Sequence, residues 1–268
     1  MLVVLAADAP ALDREAARIV AHRVREKPAI TLGLAAGSTP LGMYRELVRL
    51  HREEGLDLSR VTTFNLDEYL GLGPSHPRSF HRFMREAFFD HVNIPAARIH
   101  VPDGTVTDDV EGYCAEYERM IARAGGIDLQ VLGIGRDGHV GFNEPTSSLA
   151  SRTRVKTLTR ATIEDARRGF GEGERVPECA ITMGIGTILE ARQILLLGTG
   201  AAKREAVARA VEGPVTASVT ASALQLHPQV TVLLDREAAA GLRHLDYYEQ
   251  VMRTTATLTP GRAARARD

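Results

Sequence analysis

Short apolar runs alternate with stretches of helical periodicity along most of the chain. Runs rich in Val, Ile and Leu that are long enough for strands occupy residues 2–5, 30–34, 61–66, 129–134, 154–158, 194–197 and 230–234. Most of these runs are continuously apolar, which is typical of parallel strands covered on both faces. The pattern therefore predicts an α/β fold with a doubly wound, mostly parallel, Rossmann-like sheet and helices on both faces.

Helical stripes fill the spaces between these runs. Between the first two strands, apolar residues recur at helical spacing behind Asp8 and Pro10, which suit a helix start, and a similar stripe follows Ser79. No repeat or Pro/Ser-rich linker divides the chain, so residues 1–268 are predicted to form a single domain. The charged, Gly-rich residues 166–177 are a candidate mobile lid.

Composition and charge exclude several classes of protein. The chain has 44% hydrophobic and 25% charged residues, and 33 Lys plus Arg balance 34 Asp plus Glu. Disordered and fibrous classes are excluded, and no basic field favours a nucleic acid partner. No apolar run reaches the ~18 residues of a membrane span, and no signal peptide is evident, so a cytoplasmic protein without a membrane partner is expected. Cys114 and Cys179 lack metal-site spacing and are predicted to be free thiols.

A strand, a turn of small residues and a helix follow one another at residues 32–40. Gly37, Ser38 and Thr39 precede Pro40, so Ser38 or Thr39 can cap the helix and Pro40 suits its first position. Free N–H groups and the helix dipole make such a turn an anion site, and without a GxxxxGK[ST] pattern a single phosphate fits better than a triphosphate. A tight turn without a ligand explains the same residues equally well.

Lys203 follows the strand at 194–197 and is expected in the first turn of the next helix. A cation there opposes the helix dipole unless an anion compensates it. Glu205 and a bound anionic ligand are both candidates for that anion.

Residues 133–138 satisfy GxGxxG after a strand, but their context argues against a dinucleotide site. Residues 143–145, Asn-Glu-Pro, interrupt the helix that such a turn must open, and no acidic residue follows where a ribose would need one. Glycines in this loop instead allow close approach of a small ligand.

The same loop carries Asp137, His139 and Glu144. A histidine flanked by carboxylates has a raised pKa and suits proton transfer between two oxygens. The alternatives are a turn cap beside a satisfied polar histidine, or a metal site. The loop has no second His, no HExxH or Cys pair occurs elsewhere, and no metal is predicted.

Adjacent carboxylates, Asp67 and Glu68, end the strand at 61–66. A partly desolvated carboxylate there could act as a general base toward a carbon acid, and a solvated turn is equally compatible with the residues. Ser38 is not in a GxSxG elbow, which argues against a serine hydrolase.

Four motifs at residues 34–40, 64–69, 133–145 and 148–157 together resemble the glucosamine-6-phosphate deaminase family in order and spacing, over nearly the whole chain. The resemblance implies conversion of glucosamine 6-phosphate and water to fructose 6-phosphate and ammonia, without a cofactor or metal. It implies that Asp67 is the base that moves a proton between C2 and C1, and that His139 opens the sugar ring. Asp137 and Glu144 would orient His139.

The resemblance also implies binding residues. The substrate phosphate would be held by Gly37, Ser38, Thr39, Arg168 and Lys203. In hexameric allosteric members, the positions of Ser147, Arg154 and Lys156 bind N-acetylglucosamine 6-phosphate between subunits, but those members carry Tyr where this chain has His244. A homo-oligomer such as a hexamer is expected, and allosteric control is left open.

Two rival functions share parts of this pattern. A 6-phosphogluconolactonase has the general fold and a Gly-rich Asp-Gly-His loop, but lacks the Asn-Glu-Pro at 143–145 and the Asn-x-Asp-Glu-Tyr strand end. A sugar-phosphate-sensing domain keeps the phosphate loop and loses catalytic groups, whereas Asp67, Asp137, His139 and Glu144 are all present here. The prediction is therefore an amino-sugar-phosphate deaminase whose partner is a small sugar phosphate.

Overall fold

Each predicted strand forms, together with shorter ones. The computed structural model describes residues 1–171 and 173–258, so Glu172 of the candidate lid and residues 259–268 of the predicted domain lie outside it. In chain order the strands are β1 (Leu2–Ala6), β2 (Thr31–Leu34), β3 (Thr62–Asn65), β4 (Asp67–Tyr69), β5 (Ile99–His100), β6 (Leu129–Gly133), β7 (Arg154–Thr157), β8 (Cys179–Thr182), β9 (Ile194–Gly198) and β10 (Val230–Asp235).

The helices alternate with these strands, as the periodicity predicts. They are α1 (Ala9–Glu26), α2 (Leu41–Glu54), α3 (Phe80–Ala87), α4 (Val110–Arg123), α5 (Arg160–Arg167), α6 (Ile185–Leu189), α7 (Arg204–Glu212), α8 (Arg236–Ala239) and α9 (Leu245–Leu258). Within the described part of the chain, no helix is long and apolar enough to cross a membrane.

A seven-stranded parallel sheet has the order β1-β10-β9-β6-β2-β3-β5. One buried apolar cluster joins its first face to α1, α2 and α3, and a second joins the opposite face to α4, α6, α7 and α8. Helices on both faces confirm the predicted doubly wound fold. The chain runs from β2 outward in one direction and from β6 in the other, so a crevice opens beyond the carboxyl ends of these two strands.

A second, three-stranded antiparallel sheet has the order β4-β8-β7. The predicted strand at 154–158 belongs to this small sheet rather than to the parallel one. Its residues alternate between half-buried and exposed, with Val155 37% exposed, as an edge strand with one face in solvent does. Asp67 and Glu68 are the first residues of β4 and are buried, so they do not form a solvated turn.

The helix starts agree with those predicted from the sequence, except at α2 beside the crevice. Asp8 caps α1 by accepting from the Ala11 N–H, and Ser79 caps α3. The predicted cap of α2 by Ser38 or Thr39 is wrong, because α2 begins at Leu41 and no side chain caps it. The strand-to-helix turn is one residue longer than predicted, which leaves both hydroxyl side chains available. The thiols of Cys114 and Cys179 are free, as predicted.

Candidate active site

Two loops meet in the crevice between β2 and β6. The first, residues 35–40, follows β2, and the second, residues 134–153, follows β6 and reaches β7 without an intervening helix. A Cβ atom added to Gly133 would lie 3.7 Å from the Cβ of Thr39, so the loops touch at their bases. The absence of a helix after β6 agrees with the prediction that GxGxxG here is not a dinucleotide turn.

The first loop presents unused backbone donors. Gly37 has a φ of 117°, which glycine adopts more readily than other residues, and Ser38 is exposed. Among the described residues, no acceptor binds the N–H groups of residues 37–39. The turn is thus open to an anion just before the N-terminus of α2.

Lys203 ends a 3-10 turn and stands directly before α7, one residue earlier than predicted. Its amino group is half-buried, and no residue in the described ranges forms an ion pair with it. Burial and the charge of Arg136 lower its pKa, against the opposing effect of Asp165 and Asp137. Glu205 is exposed and does not pair with Lys203 there, so the compensating anion is not supplied by that neighbour.

Arg168 directly follows α5 and is exposed. It lies one turn beyond Asp165, whose charge raises the pKa of Lys203. The preceding residue, Arg167, instead lines a separate pocket of about 620 Å³ with Phe170 and neighbouring residues of the candidate lid.

The second loop brings three titratable side chains together, as the sequence predicts. Nδ1 of His139 is 2.7 Å from Oδ1 of Asp137 and 3.4 Å from Oε2 of Glu144. The ring N–H is not well aligned with either oxygen, so these contacts are ion pairs rather than ideal hydrogen bonds. Burial lowers the pKa of His139, but the two carboxylates outweigh it and raise the pKa to about 9.

Glycine is required where the imidazole lies. A Cβ on Gly135 would be 2.6 Å from Nε2 and Cε1 of His139, and the Gly135 N–H donates to the His139 carbonyl at 2.8 Å. Backbone and ring are therefore packed against each other, and the loop conformation fixes the ring position.

Asp67 faces this loop from β4. A Cβ on Gly141 would be 3.3 Å from its Oδ2 atom, and the charges of Asp67 and His139 interact. Burial, followed by the neighbouring Glu68 carboxylate, raises the pKa of Asp67 to about 7, while His139 lowers it. Among the groups that the structure describes, none donates a hydrogen bond to the Asp67 carboxylate, which is 6% exposed.

The Glu68 carboxylate faces α3 and, unlike that of Asp67, accepts hydrogen bonds. The backbone N–H groups of Tyr69, Phe80 and His81 donate to it at 2.8, 3.0 and 2.9 Å, the last two from the first turn of α3. Burial raises the pKa of Glu68 to about 7 against these donors. Three donors and a helix N-terminus thus occupy the Glu68 carboxylate, whereas no described group donates to Asp67.

Sequence reasoning missed the residues that hold these groups in place. Thr159 donates to Glu144 through its N–H at 3.1 Å, and Asn143 donates to the carbonyls of Val140 and Met183. Thr159 is recognisable in the sequence as a helix cap, but its contact with Glu144 spans 15 residues and leaves no local signal.

Asp137, His139 and Glu144 each offer one ligand atom within 4.8 Å of the others, so the set also has the composition of a metal site. Both carboxylates face the same ring nitrogen. A metal ion on that nitrogen would have to replace the proton that the two carboxylates stabilise there.

The residues predicted to bind an effector lie on and beside β7. Arg154 and Lys156 are both half-buried, and Arg154 donates to the side-chain oxygen of Asn143 at 3.0 Å. The Ser147 hydroxyl is buried without a partner in the described part of the chain. Arg152, which precedes the strand, is paired with Glu118 and Glu190 at 2.6 Å each.

Comparison with known proteins identifies the family of this chain. Residues 6–233 match the family described as glucosamine-6-phosphate isomerases/6-phosphogluconolactonase. The chain is 50% identical to a glucosamine-6-phosphate deaminase of Cellvibrio japonicus, covering 94% of this chain and 96% of that one. It is 52% identical to a deaminase of Arthrobacter sp., covering 87% and 89%.

Solved structures support the same assignment. A glucosamine-6-phosphate deaminase described as monomeric has a TM-score of 0.87 and 47% identity, covering 90% of this chain and 100% of its own. A 6-phosphogluconolactonase from Trypanosoma brucei has a TM-score of 0.73, 21% identity and coverage of 90% and 98%, and this likeness shows the shared fold alone. The chain belongs to the glucosamine-6-phosphate isomerase/6-phosphogluconolactonase family and, within it, to the glucosamine-6-phosphate deaminases.

Proposed function

We propose that the protein converts glucosamine 6-phosphate and water to fructose 6-phosphate and ammonia, a hydrolytic cleavage of a C–N bond without a cofactor. One observation carries the proposal: the buried carboxylate of Asp67, to which no described group donates, faces the loop in which Asp137 and Glu144 hold His139, and that loop contacts a turn with unused N–H groups. The identity to deaminases over 94% of the chain supports the choice of substrate.

Asp67 is proposed as the general base. A proton α to a carbonyl requires a base that is deprotonated near neutral pH and still basic, and burial moves the pKa of Asp67 into that range. Asp67 would remove the C2 proton of the open-chain sugar and return it to C1 through an enolamine. The resulting imine at C2 is hydrolysed to the ketone, and ammonia leaves.

His139 is proposed to open the pyranose ring. It would relay a proton from the anomeric hydroxyl to the ring oxygen, which yields the aldehyde that isomerisation needs. Asp137 and Glu144 hold its Nδ1 side, so Nε2 is the nitrogen that remains for the sugar.

The phosphate is proposed to bind Gly37, Ser38, Thr39, Lys203 and Arg168. The N–H groups of the turn and the ammonium of Lys203, which have no hydrogen-bond acceptor and no ion-pair partner respectively among the described residues, suit a dianion. Phosphate binding would also order the candidate lid through Arg168.

The decisive assay measures ammonia and fructose 6-phosphate from purified protein given glucosamine 6-phosphate, with and without EDTA. Equal release of both products, undiminished by EDTA, is expected. Loss of turnover with EDTA that Zn²⁺ restores would contradict the metal-free reaction. Hydrolysis of 6-phosphogluconolactone without ammonia release would favour the lactonase, and binding without turnover of either compound would favour a sensing role.

The proposal also covers quaternary structure and regulation. A homo-oligomer such as a hexamer, with Ser147, Arg154 and Lys156 as effector residues, stays a prediction beside a solved relative described as monomeric. Light scattering, and the same assay with N-acetylglucosamine 6-phosphate, test both points. A monomer without an effector response would contradict them. A cytoplasmic location also stays a prediction.

A further inference from the structure

An ion pair connects the active-site loop to α5 beside the proposed phosphate site. Nε of Arg136 donates to Oδ2 of Asp165 at 3.0 Å, and Nη2 forms a second, shorter contact with Oδ1. Two parallel contacts of this kind are also the way in which an arginine binds a phosphate group. The side chains are 50% and 42% exposed, so water weakens the attraction and an exchange of partners costs little.

The position of this pair ties it to the phosphate site. Arg136 directly precedes Asp137 in the active-site loop, and Asp165 lies one turn before Arg168. The charge of Arg136 lowers the pKa of the Lys203 amino group, and the charge of Asp165 raises it. The pair therefore lies among the side chains that would surround a substrate phosphate.

The balance of charge indicates what the pair does. Arg136 and Lys203 are cations, and Asp165 cancels one of them, so a phosphate dianion meets less positive charge than the arginine and lysine could offer. The Asp165 carboxylate occupies the bidentate position on Arg136 that phosphate oxygens would fill. Nothing else in the described ranges forms an ion pair with Arg136.

We propose that Arg136 is a further phosphate-binding residue and that Asp165 is an internal anion that competes with the substrate for it. In the free protein Asp165 neutralises Arg136. When a phosphorylated sugar binds, its phosphate accepts both N–H bonds from Arg136, and Asp165 turns to solvent. The identity of the sugar rests on the proposed function, whereas recognition of the phosphate group does not.

Opposite effects of two variants test this proposal. Arg136→Gln is expected to raise KM for glucosamine 6-phosphate, and the inhibition constant of inorganic phosphate, about tenfold with kcat nearly unchanged. Asp165→Asn is expected to lower both constants about threefold, because Arg136 is released. Arg136→Lys keeps the charge without the fork and should fall between Arg136→Gln and wild type.

A control is the exposed cluster on α4 in which Arg119 lies 2.7 Å from Glu116, a carboxylate that also contacts Arg123. Arg119→Gln and Glu116→Gln should leave both constants unchanged. If Arg136→Gln and Asp165→Asn shift KM in the same direction, the pair is only a structural link and the proposal is wrong. An unchanged phosphate constant in Arg136→Gln would also overturn it.

The binding of inorganic phosphate, measured by calorimetry, separates this inference from the proposed function. If wild type releases no ammonia but Arg136→Gln still weakens phosphate binding about tenfold, the proposed reaction fails and the inference stands. If wild type deaminates its substrate and Arg136→Gln binds phosphate normally, the inference fails alone.

Discussion

Asp67 and Asp128 are buried aspartates at opposite ends of the central sheet, 6% and 2% exposed. Asp67 lies beyond the carboxyl end of β3, where no described side chain or N–H donates to it. Asp128 directly precedes β6 at the amino end and accepts from Lys27 at 2.7 Å, from the Thr31 N–H at 2.9 Å and from Arg192 at 3.0 Å.

The two carboxylates consequently differ in pKa. Burial raises the pKa of both, but at Asp128 the hydrogen bonds from Lys27 and Thr31 and the charge of Arg192 outweigh it and hold the pKa below its ordinary value. At Asp67 burial and the neighbouring Glu68 carboxylate outweigh the charge of His139, and the pKa reaches about 7. Burial alone does not decide the charge of a carboxylate, because Lys27 and Arg192 offset it at Asp128, whereas no described cation forms such a hydrogen bond with Asp67, the residue proposed above as the base.

Replacing Asp67 should have the largest effect on turnover. Asp67→Asn is expected to lower kcat about a thousandfold with KM nearly unchanged, because the amide cannot accept the C2 proton. The same variant should be more stable than wild type at pH 8, by at most about 4 kcal/mol, since a buried charge is removed. Steady-state kinetics and urea denaturation measure the two effects, and more than a tenth of wild-type kcat would mean that another residue is the base.

Asp128→Asn should show the opposite behaviour. We expect unfolding free energy to fall by about 2–3 kcal/mol, because two cations and a backbone N–H lose a charged acceptor, while kcat at 25 °C stays within about twofold. Urea denaturation and the ammonia assay check this. A large loss of kcat in the folded variant would show that the two ends of the sheet are not functionally separate.

The contributions of Asp67 and Asp128 to stability should change with pH in opposite directions. The raised pKa of Asp67 means that the native state binds more protons than the unfolded chain between its ordinary value of 3.8 and about 7, so the stability gained by Asp67→Asn grows across that window. The stabilisation from Asp128 is present above 3.8 and is lost as pH falls through its lower folded pKa. Denaturation series from pH 3 to 8 measure both, and a pH-independent effect of Asp67→Asn would contradict the raised pKa.

Activity should follow Asp67 and His139. Below pH 7, kcat/KM of wild type is expected to fall about tenfold per pH unit as Asp67 becomes protonated, and above about 9 it should fall as His139 loses its proton. The pH profile of kcat/KM of Asp128→Asn should equal that of wild type. An acid limb near pH 4 would show that the base has an ordinary carboxylate pKa.

The smallest effects distinguish two lysines. Lys203→Ala should raise KM about tenfold and leave stability nearly unchanged, because Lys203 lacks an ion-pair partner in the described chain. Lys27→Ala should leave KM unchanged and lower unfolding free energy by about 1 kcal/mol, because Asp128 loses one donor. If Lys203→Ala leaves KM unchanged, its ammonium does not bind the phosphate.

The parallel sheet could be predicted because its long strands are continuous apolar runs. Sequence reasoning missed β4, β5 and β8. With 3 and 2 residues, β4 and β5 are too short for a period to show, whereas β8 has 4 residues, as many as the predicted β2 and β3, so its length does not explain the miss. Two of the missed strands build the small sheet, so the different partners of the strand at 154–158 could not be predicted either.

Some contacts in the candidate site could likewise be predicted from the sequence and others could not. Asp137, His139 and Glu144 lie within one short loop, so their proximity could be predicted from the sequence. The contact of Arg136 with Asp165 spans 29 residues, and that of Glu68 with the His81 N–H spans 13, so both depend on how the elements pack. Which of Asp67 and Glu68 is free to react depended on donors that only the folded chain brings together.

The step from β3 to β4 at Leu66 has a consequence for substrate length. Asp67 belongs to the small sheet, whereas the turn at residues 37–39 and Lys203 follow strands of the large one. A sugar phosphate that reaches both must match the gap between the two sheets. If Asp67 is the base and Lys203 binds the phosphate, as proposed, the spacing of the two sheets limits the length of the sugar that can reach both groups.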